Sequence, residues 1–185
     1  LALVTRLDWQ KGMDIVGHAL HLLMNGYSGP AQFVVLGTGA SHYEDMFRQL
    51  AGFHREKMSA YIGYHAELAP LIYAGSDMFL MPSLFEPCGL GQMIAMRYGS
   101  VPLVRATGGL ADTVQDGITG YTFYDFSADA LFNAIQRATY TYNTDRESWQ
   151  RIQANGMTTN FSWERSAQGY QQLYSWAIAQ MRYYG

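Results

Sequence analysis

The hydrophobic positions of this chain alternate between two spacings. Short runs of consecutive apolar and β-branched residues have the length of buried strands, and longer segments between them repeat apolar residues at helical spacing. The predicted strands are residues 1–5, 32–36, 58–62, 78–81, 101–104 and 120–123. Strands that alternate with helices in this way predict an α/β fold, in which helices cover a mostly parallel sheet of about six strands.

Apolar stripes predict the helices between these strands. In the first helix, the stripe that packs on the sheet consists of Met13, Val16, Leu20, Leu23 and Met24. Further helices are predicted over residues 43–53, 68–74 and 89–98.

The last third of the chain is helical throughout. Ser127 is a predicted N-cap, a helix is predicted from 146 to about 157, and Ser162 is the predicted cap of a terminal helix. The apolar stripe of that terminal helix consists of Tyr170, Leu173, Tyr174, Ala177 and Met181. We therefore predict one Rossmann-like domain over residues 1–185, with a helical C-terminal tail.

Composition narrows the class of protein. The 185 residues are 49% hydrophobic and 15% charged, which suits one globular domain with a single core. A formal charge of −3 argues against nucleic acid as a partner, and no apolar run reaches the roughly 18 residues that cross a membrane. Cys88 is the sole cysteine, so no internal disulfide forms, and a reducing cytoplasm is the expected location. Because the sequence opens at Leu1 inside an apolar run, we expect one domain of a longer protein.

The loop of residues 6–12 follows the first predicted strand and carries two cations. Ligands of open α/β sheets bind at the carboxyl ends of strands, where this loop, the loop 63–67 and the loop 83–89 are all predicted to lie. Arg6 and Lys11, beside the free N–H groups of a helix start, suit a diphosphate. An ordinary solvated pair of cations at a helix boundary is the alternative, and the residues alone leave both open.

The loop 83–89 carries a carboxylate at the start of the fourth predicted helix. Glu86 is predicted to be a lone carboxylate that points into the mouth of the site, where it binds sugar hydroxyls and stabilises positive charge at an anomeric carbon. A solvated glutamate, or a partner of the helix dipole, is the alternative. Gly89 lets the chain turn closely into the helix, and Cys88 is expected to be a packing residue rather than a nucleophile.

Other residues with potential chemistry give weaker signals. Tyr64, in the loop 63–67, is predicted either to stack on a nucleobase or to be an ordinary half-buried tyrosine. The five histidines lack the spacing of a metal site. Residues 36–40 resemble the start of a dinucleotide-binding loop, but His42 stands at the third glycine position, which argues against an NAD-dependent oxidoreductase. We therefore expect neither a metal nor a cofactor.

An ordered set of motifs extends over essentially the whole chain. The first motifs are Thr5-Arg6-Leu7 with Gln10-Lys11-Gly12, Leu36-Gly37-Thr38-Gly39, Ile62-Gly63-Tyr64 and Ile72-Tyr73-Ala74-Gly75-Ser76-Asp77. The later ones are Met81-Pro82-Ser83, Phe85-Glu86-Pro87-Cys88-Gly89-Leu90, Arg97-Tyr98-Gly99, Thr107-Gly108-Gly109-Leu110-Ala111-Asp112-Thr113-Val114 and Phe161-Ser162-Trp163. In this order, the motifs resemble those of the C-terminal domain of bacterial glycogen synthases and plant starch synthases.

The resemblance implies one half of a two-domain GT-B glycosyltransferase. This half binds ADP-glucose, or UDP-glucose in some members, and glucose passes with retention to the non-reducing end of an α-1,4-glucan. Arg6 and Lys11 are then implied to neutralise the leaving diphosphate, Glu86 to hold the glucosyl ring, and Tyr64 to stack beside the base. The backbone implied to meet the sugar and the phosphates is that of Cys88, Gly89, Leu90 and Gly91. The family's N-terminal domain, which contributes acceptor contacts, is outside this sequence.

Two positions qualify the resemblance. Gly91 stands where the family usually has threonine, so a hydroxyl contact to phosphate is missing. Sucrose synthases and mannosyltransferases carry a second glutamate where this chain has Ile94, which favours the glycogen synthase group. A nucleotide-binding module without chemistry is the other alternative, and a carboxylate facing the sugar argues against it. The base, adenine or uracil, stays open.

Overall fold

A computed structural model describes residues 1–26 and 30–184, and it contains a six-stranded parallel sheet. The strands are β1 (Ala2–Val4), β2 (Phe33–Gly37), β3 (Met58–Ile62), β4 (Met78–Met81), β5 (Val101–Arg105) and β6 (Tyr121–Phe123). Every observed end lies within one residue of the predicted end. The α/β, Rossmann-like prediction is confirmed.

Helices cover both faces of the sheet. They are α1 (Met13–Met24), α2 (Ser41–Phe53), α3 (Leu68–Gly75), α4 (Gly91–Tyr98), α5 (Gly108–Thr113), α6 (Ala128–Thr144), α7 (Arg146–Thr158) and α8 (Trp163–Tyr184). The main core joins α1, α2, α6 and α7 to one face, while α3 and α4 pack on the other. The central strands are therefore buried on both sides, which is why their sequences are continuous apolar runs.

Helix ends follow local chemistry. Ser127 caps α6 as predicted, since its hydroxyl accepts a hydrogen bond from the N–H of Ala130 at 3.2 Å. The predicted start of α4 at residue 89 is wrong by two residues. Gly89 has a φ of +74°, which is outside the helical region, so the helix begins at Gly91.

The terminal helix α8 is present, but its apolar stripe is not buried. Every side chain from Trp163 through Met181 is exposed, whereas Trp149 of the preceding helix is completely buried. In the described residues, no helix combines the length and the apolar character that a membrane span needs.

The sheet order positions the site. The strands lie in the order β3-β2-β1-β4-β5-β6, so β1 and β4 are neighbours although they are distant in sequence. After β1 the chain continues to β2 and β3 on one side of this pair, and after β4 it continues to β5 and β6 on the other side. The loops that follow β1 and β4 consequently diverge and leave a crevice between them, where α/β proteins of this kind bind ligands.

Candidate active site

The loop after β1 is a tight, capped turn. Asp8 accepts a hydrogen bond from the N–H of Lys11 at 3.0 Å and so closes a single turn of 3₁₀ helix over Trp9–Lys11. Gly12 follows with a φ of +81°, and a Cβ atom there would lie 2.0 Å from the carbonyl oxygen of Pro82. Only glycine permits this close approach of the loop after β1 to the loop after β4.

Two hydrogen bonds join these loops directly. The N–H of Leu84 donates to the carbonyl of Gln10 at 2.9 Å, and the side-chain amide of Gln10 donates to the carbonyl of Phe85 at 3.3 Å. Lys11 and Glu86, which follow these residues, are therefore held beside each other although 75 positions separate them.

Lys11 and Glu86 form an ion pair between the loops that follow β1 and β4. Nζ of Lys11 lies 2.5 Å from Oε2 of Glu86, and only 17% and 9% of their side chains are exposed. The buried hydroxyl of Ser83 donates to the same carboxylate oxygen at 3.3 Å. The prediction of a lone carboxylate pointing into the mouth is therefore wrong. A carboxylate this deeply buried needs partners, because an unpaired buried charge is strongly destabilising.

Arg6 lies on the same loop but at the surface. Its Nη1 atom is 3.0 Å from Oδ2 of Asp8, and 67% of its side chain is exposed. An exposed pair of this kind contributes little to stability, so the guanidinium is free to move to a ligand. The structure thus places the two predicted cations on one loop, with Lys11 mostly buried and Arg6 exposed.

The backbone after Glu86 presents unpaired donors. In the part of the chain that the structure describes, the N–H groups of Gly89, Leu90 and Gly91 donate to no acceptor. They lie at the N-terminus of α4, where unpaired N–H groups and the helix dipole favour an anion. The thiol of Cys88 is exposed on the same loop, so the expectation that Cys88 is a packing residue is wrong.

Two glycines of α5 support this loop from behind. The N–H of Gly109 donates to the carbonyl of Glu86 at 3.0 Å. A Cβ atom on Gly108 would lie 2.2 Å from the carbonyl oxygen of Glu86, and one on Gly109 would lie 2.2 Å from that of Cys88. In the sequence this glycine pair stood out only as part of a motif. Its position at the start of the helix that follows β5 was the feature that could have indicated its role in packing against the Glu86 loop.

Arg105 is a further support that the sequence did not indicate. It ends β5, where Nη1 donates to the carbonyl of Leu84 at 2.9 Å and Nε donates to the carbonyl of Tyr124 at 3.0 Å. It therefore links the loop after β6 to the loop that carries Glu86.

Tyr64 lies at the same edge of the sheet but outside the crevice. It follows β3 and is 87% exposed. Because β2 separates β3 from β1, the two loops are two strand spacings apart, roughly 10 Å. The structure does not bring Tyr64 into contact with the Lys11–Glu86 pair.

The loop after β2, which follows Gly37, packs between the loop that carries Tyr64 and the loop that carries Lys11. Cβ atoms on Gly37 and Gly39 would lie 2.0 Å and 2.1 Å from the carbonyl oxygens of Thr5 and Leu7. These glycines therefore serve the packing of one loop on another. Glu44 holds the loop from α2, and the hydrogen bond from the N–H of Gly39 lowers the pKa of its carboxyl.

Among the described residues, no cluster of three or more histidine, cysteine, aspartate and glutamate side chains has the arrangement of a metal site.

Comparison with known proteins gives concordant results. The family model described as "Glycosyl transferases group 1" matches residues 1–139. A glycogen synthase of Desulforudis audaxviator is 50% identical over 180 residues, which are 94% of this chain and 35% of that protein. The chain therefore spans about a third of the length of that relative.

Solved structures agree. The catalytic domain of Starch Synthase IV from Arabidopsis thaliana, bound to ADP and acarbose, superposes with a TM-score of 0.84 at 37% identity, covering 96% of this chain and 38% of that one. Sucrose-phosphate synthase from Thermosynechococcus elongatus gives a TM-score of 0.70 at 25% identity over 97% of this chain and 45% of that one. The resemblance deduced from the motifs is confirmed.

Proposed function

This chain belongs to the group 1 glycosyl transferases, and on that premise we propose that residues 1–185 are the sugar-nucleotide-binding domain of a glycogen or starch synthase. The reaction is transfer of glucose from ADP-glucose, with retention, to the non-reducing end of an α-1,4-glucan. An N-terminal domain of the same enzyme, outside this sequence, provides the acceptor side of the cleft.

The observation that carries the proposal is the Lys11–Glu86 pair at the crevice between β1 and β4. A sugar nucleotide has a diphosphate, which needs cations and N–H donors, and a hydroxylated ring, which needs a hydrogen-bond acceptor. Lys11 with the N–H groups of Gly89 and Leu90 supplies the first set, and Glu86 supplies the second. Both sets lie on the two loops that follow the neighbouring strands β1 and β4.

The proposed mechanism assigns opposite charges to opposite ends of the breaking bond. As the bond from the anomeric carbon to the diphosphate oxygen lengthens, negative charge develops on the phosphates, and Lys11 and Arg6 stabilise it. Positive charge develops on the glucosyl ring, and the carboxylate of Glu86 stabilises it while accepting hydrogen bonds from ring hydroxyls. Lys11 therefore exchanges its contact with Glu86 for one with phosphate when the donor binds, before the bond breaks.

Tyr64 is assigned to the base. The ribose of a nucleoside separates the base from the phosphates, a span of the same order as the two strand spacings between the loops. An exposed tyrosine at that distance offers a face on which adenine stacks.

The exposed apolar stripe of α8 supports the proposal that the enzyme has a second domain. Tyr170, Leu173 and Met181 are more than half exposed on a helix that leaves the body of the domain, and apolar surface of this extent is usually covered by a partner. We assign the covering surface to the remainder of the enzyme. The enzyme is also assigned to the cytoplasm, because a reducing compartment protects the exposed Cys88 thiol.

Calorimetric titration of the chain with ADP, ADP-glucose and UDP-glucose tests the proposal. We expect weak ADP binding that Lys11→Ala abolishes. Lys57→Ala is the matched control, because Lys57 contacts the carbonyl of Met24 and lies away from the crevice. No detectable binding of ADP or ADP-glucose at millimolar concentration would contradict the proposal, as would equal losses in the two variants.

Turnover of the full-length enzyme tests the role of Glu86. Glu86→Gln keeps the size of the side chain and removes its charge, so glucosyl transfer should fall strongly while ADP affinity is retained. A near-normal rate would remove Glu86 from the mechanism. Competition between ADP-glucose and UDP-glucose on the same enzyme identifies the base.

A further inference from the structure

Gln92 is a completely buried polar residue directly behind the loop that carries Glu86. It lies in the first turn of α4, and its side-chain Nε2 donates to the carbonyl oxygens of Cys88 at 3.2 Å and Gly89 at 3.0 Å. The same nitrogen lies 3.0 Å from the hydroxyl oxygen of Thr113, whose own proton is donated to the carbonyl of Gly109. One amide group thus forms hydrogen bonds with two successive carbonyls of the loop and links them to α5.

The direction of these carbonyls determines the direction of the neighbouring N–H groups. In a trans peptide the C=O of one residue and the N–H of the next lie in one plane and point in opposite directions. Because the carbonyls of Cys88 and Gly89 point inward to Gln92, the N–H groups of Gly89 and Leu90 point outward, away from the core. In the described residues neither N–H has another acceptor.

Gly89 is what permits two successive carbonyls to turn inward. Its φ of +74° is in the left-handed region, and a Cβ atom there would lie 2.6 Å from Oε1 of Gln92. Successive N–H groups that converge on one side of such a turn form an anion-binding concavity. Gly89 and Gln92 together therefore shape this part of the loop.

Stability alone does not explain a glutamine at this position. Oε1 of Gln92 is buried and has no hydrogen-bond partner within the described chain. A buried acceptor without a donor destabilises a protein, and an apolar side chain of similar volume would avoid it. What such a side chain would lack is the Nε2 donor that the two loop carbonyls share.

We propose that Gln92 is a positioning residue that holds the N–H groups of Gly89 and Leu90 toward the diphosphate of the donor. The inference rests on the proposed function, since it specifies how that site binds phosphate. Gln92 itself does not touch the ligand. Without its amide, the carbonyls of Cys88 and Gly89 rotate toward water, and the N–H groups turn away from the phosphates.

The test compares Gln92→Met with Gln153→Met. Methionine keeps the length of the side chain and removes the donor. Gln153 is the matched control, because its Nε2 donates to the carbonyl of Gly99 at 2.7 Å, at the opposite end of α4. We expect Gln92→Met to weaken binding of ADP and of inorganic diphosphate at least about tenfold, which is about 1.4 kcal/mol, and to leave adenosine binding within about twofold. Gln153→Met should change none of the three.

Amide chemical shifts in the unsubstituted chain give a second readout that needs no variant. On titration with inorganic diphosphate, the N–H signals of Gly89 and Leu90 should shift most among those of α4 and its preceding loop. Unshifted signals at these two positions would overturn the inference, as would a Gln92→Met chain with unchanged ADP affinity or with equal losses for adenosine and ADP. If the unsubstituted chain binds no ADP, the proposed function itself fails. If it binds ADP and Gln92→Met has no effect, only the inference about Gln92 fails.

Discussion

A methyl group added at position 109 tests how closely the Glu86 loop depends on its support. Gly109 lies in α5, and a Cβ atom there would be 2.2 Å, 2.6 Å and 2.7 Å from the carbonyl oxygen, Cα and carbonyl carbon of Cys88. All three are backbone atoms, so no side-chain rotation relieves the overlap. Since non-bonded carbon atoms approach to about 3.5–4.0 Å, the loop must retreat by roughly 1 Å.

The expected change in the free energy of unfolding is the difference between two opposing effects. Overpacking of this kind destabilises by about 1–3 kcal/mol, and a conflict with backbone belongs in the upper half of that range. Alanine in a helix is favoured over glycine by about 1 kcal/mol. Gly109→Ala should therefore reduce the free energy of unfolding by about 1–2 kcal/mol net. A loop displaced by roughly 1 Å should also reduce turnover of the full-length enzyme about a hundredfold.

Urea denaturation measures the loss of stability, and a glucosyl-transfer assay of the full-length enzyme measures the loss of turnover. Calorimetric titration measures the ADP affinity, which should also fall because the displaced loop carries the N–H groups of Gly89 and Leu90. Gly52→Ala is the control, because Gly52 lies in α2 with no atom within 4 Å of its Cβ position. That variant should gain up to about 1 kcal/mol and bind ADP normally. A Gly109→Ala chain that gains stability as the control does, or that keeps its ADP affinity, would refute the reasoning.

Three further changes test separate parts of the site. Tyr64→Ala should weaken ADP and ADP-glucose binding equally, by about 1–3 kcal/mol, and leave inorganic diphosphate unaffected by calorimetry; a loss confined to ADP-glucose would contradict a stacking role. Glu44 has a pKa below its usual 4.5, so the stability it contributes is present above that pH and is lost as the pH falls through the lowered pKa. Glu44→Gln should therefore be less stable than the unsubstituted chain at neutral pH and equal to it in strong acid, and a difference independent of pH in urea denaturation would count against this. Gly91→Thr introduces a hydroxyl beside the N-terminus of α4, and the flexible end of Met81, whose sulfur and terminal carbon lie 3.1 Å and 3.3 Å from the Cβ position, must move. ADP affinity should rise by about 1 kcal/mol, and an unchanged or lower affinity in calorimetry would contradict this prediction.

The strands were predictable because each is a local pattern. In a sheet covered on both faces, a buried strand is a continuous apolar run, and its ends are marked by the first polar residues or glycines. The site loops were predictable for the same reason, since they follow strand ends. Arg6, Lys11 and Glu86 were therefore candidates by position and residue type.

The contacts of these residues were not predictable in the same way. Whether Glu86 meets Lys11 depends on β1 pairing with β4, which no local pattern encodes. Gln92 looked like any polar residue of a short amphipathic helix, and its burial follows from where α5 packs. The periodicity of α8 predicts an apolar face correctly, but periodicity does not tell whether that face is covered.

The contact between Lys11 and Glu86 makes the site select for two chemical features at once. Each charge satisfies the other, so a ligand must separate a buried pair before it binds. Inorganic phosphate satisfies the lysine and leaves the carboxylate without a partner, and free glucose does the reverse. Either outcome leaves one charge of the pair without its partner, so each half should bind more weakly than the whole donor. On the proposed assignment, a molecule that joins an anion to a hydroxylated ring satisfies both residues together, so the pair favours the intact donor over either of its halves.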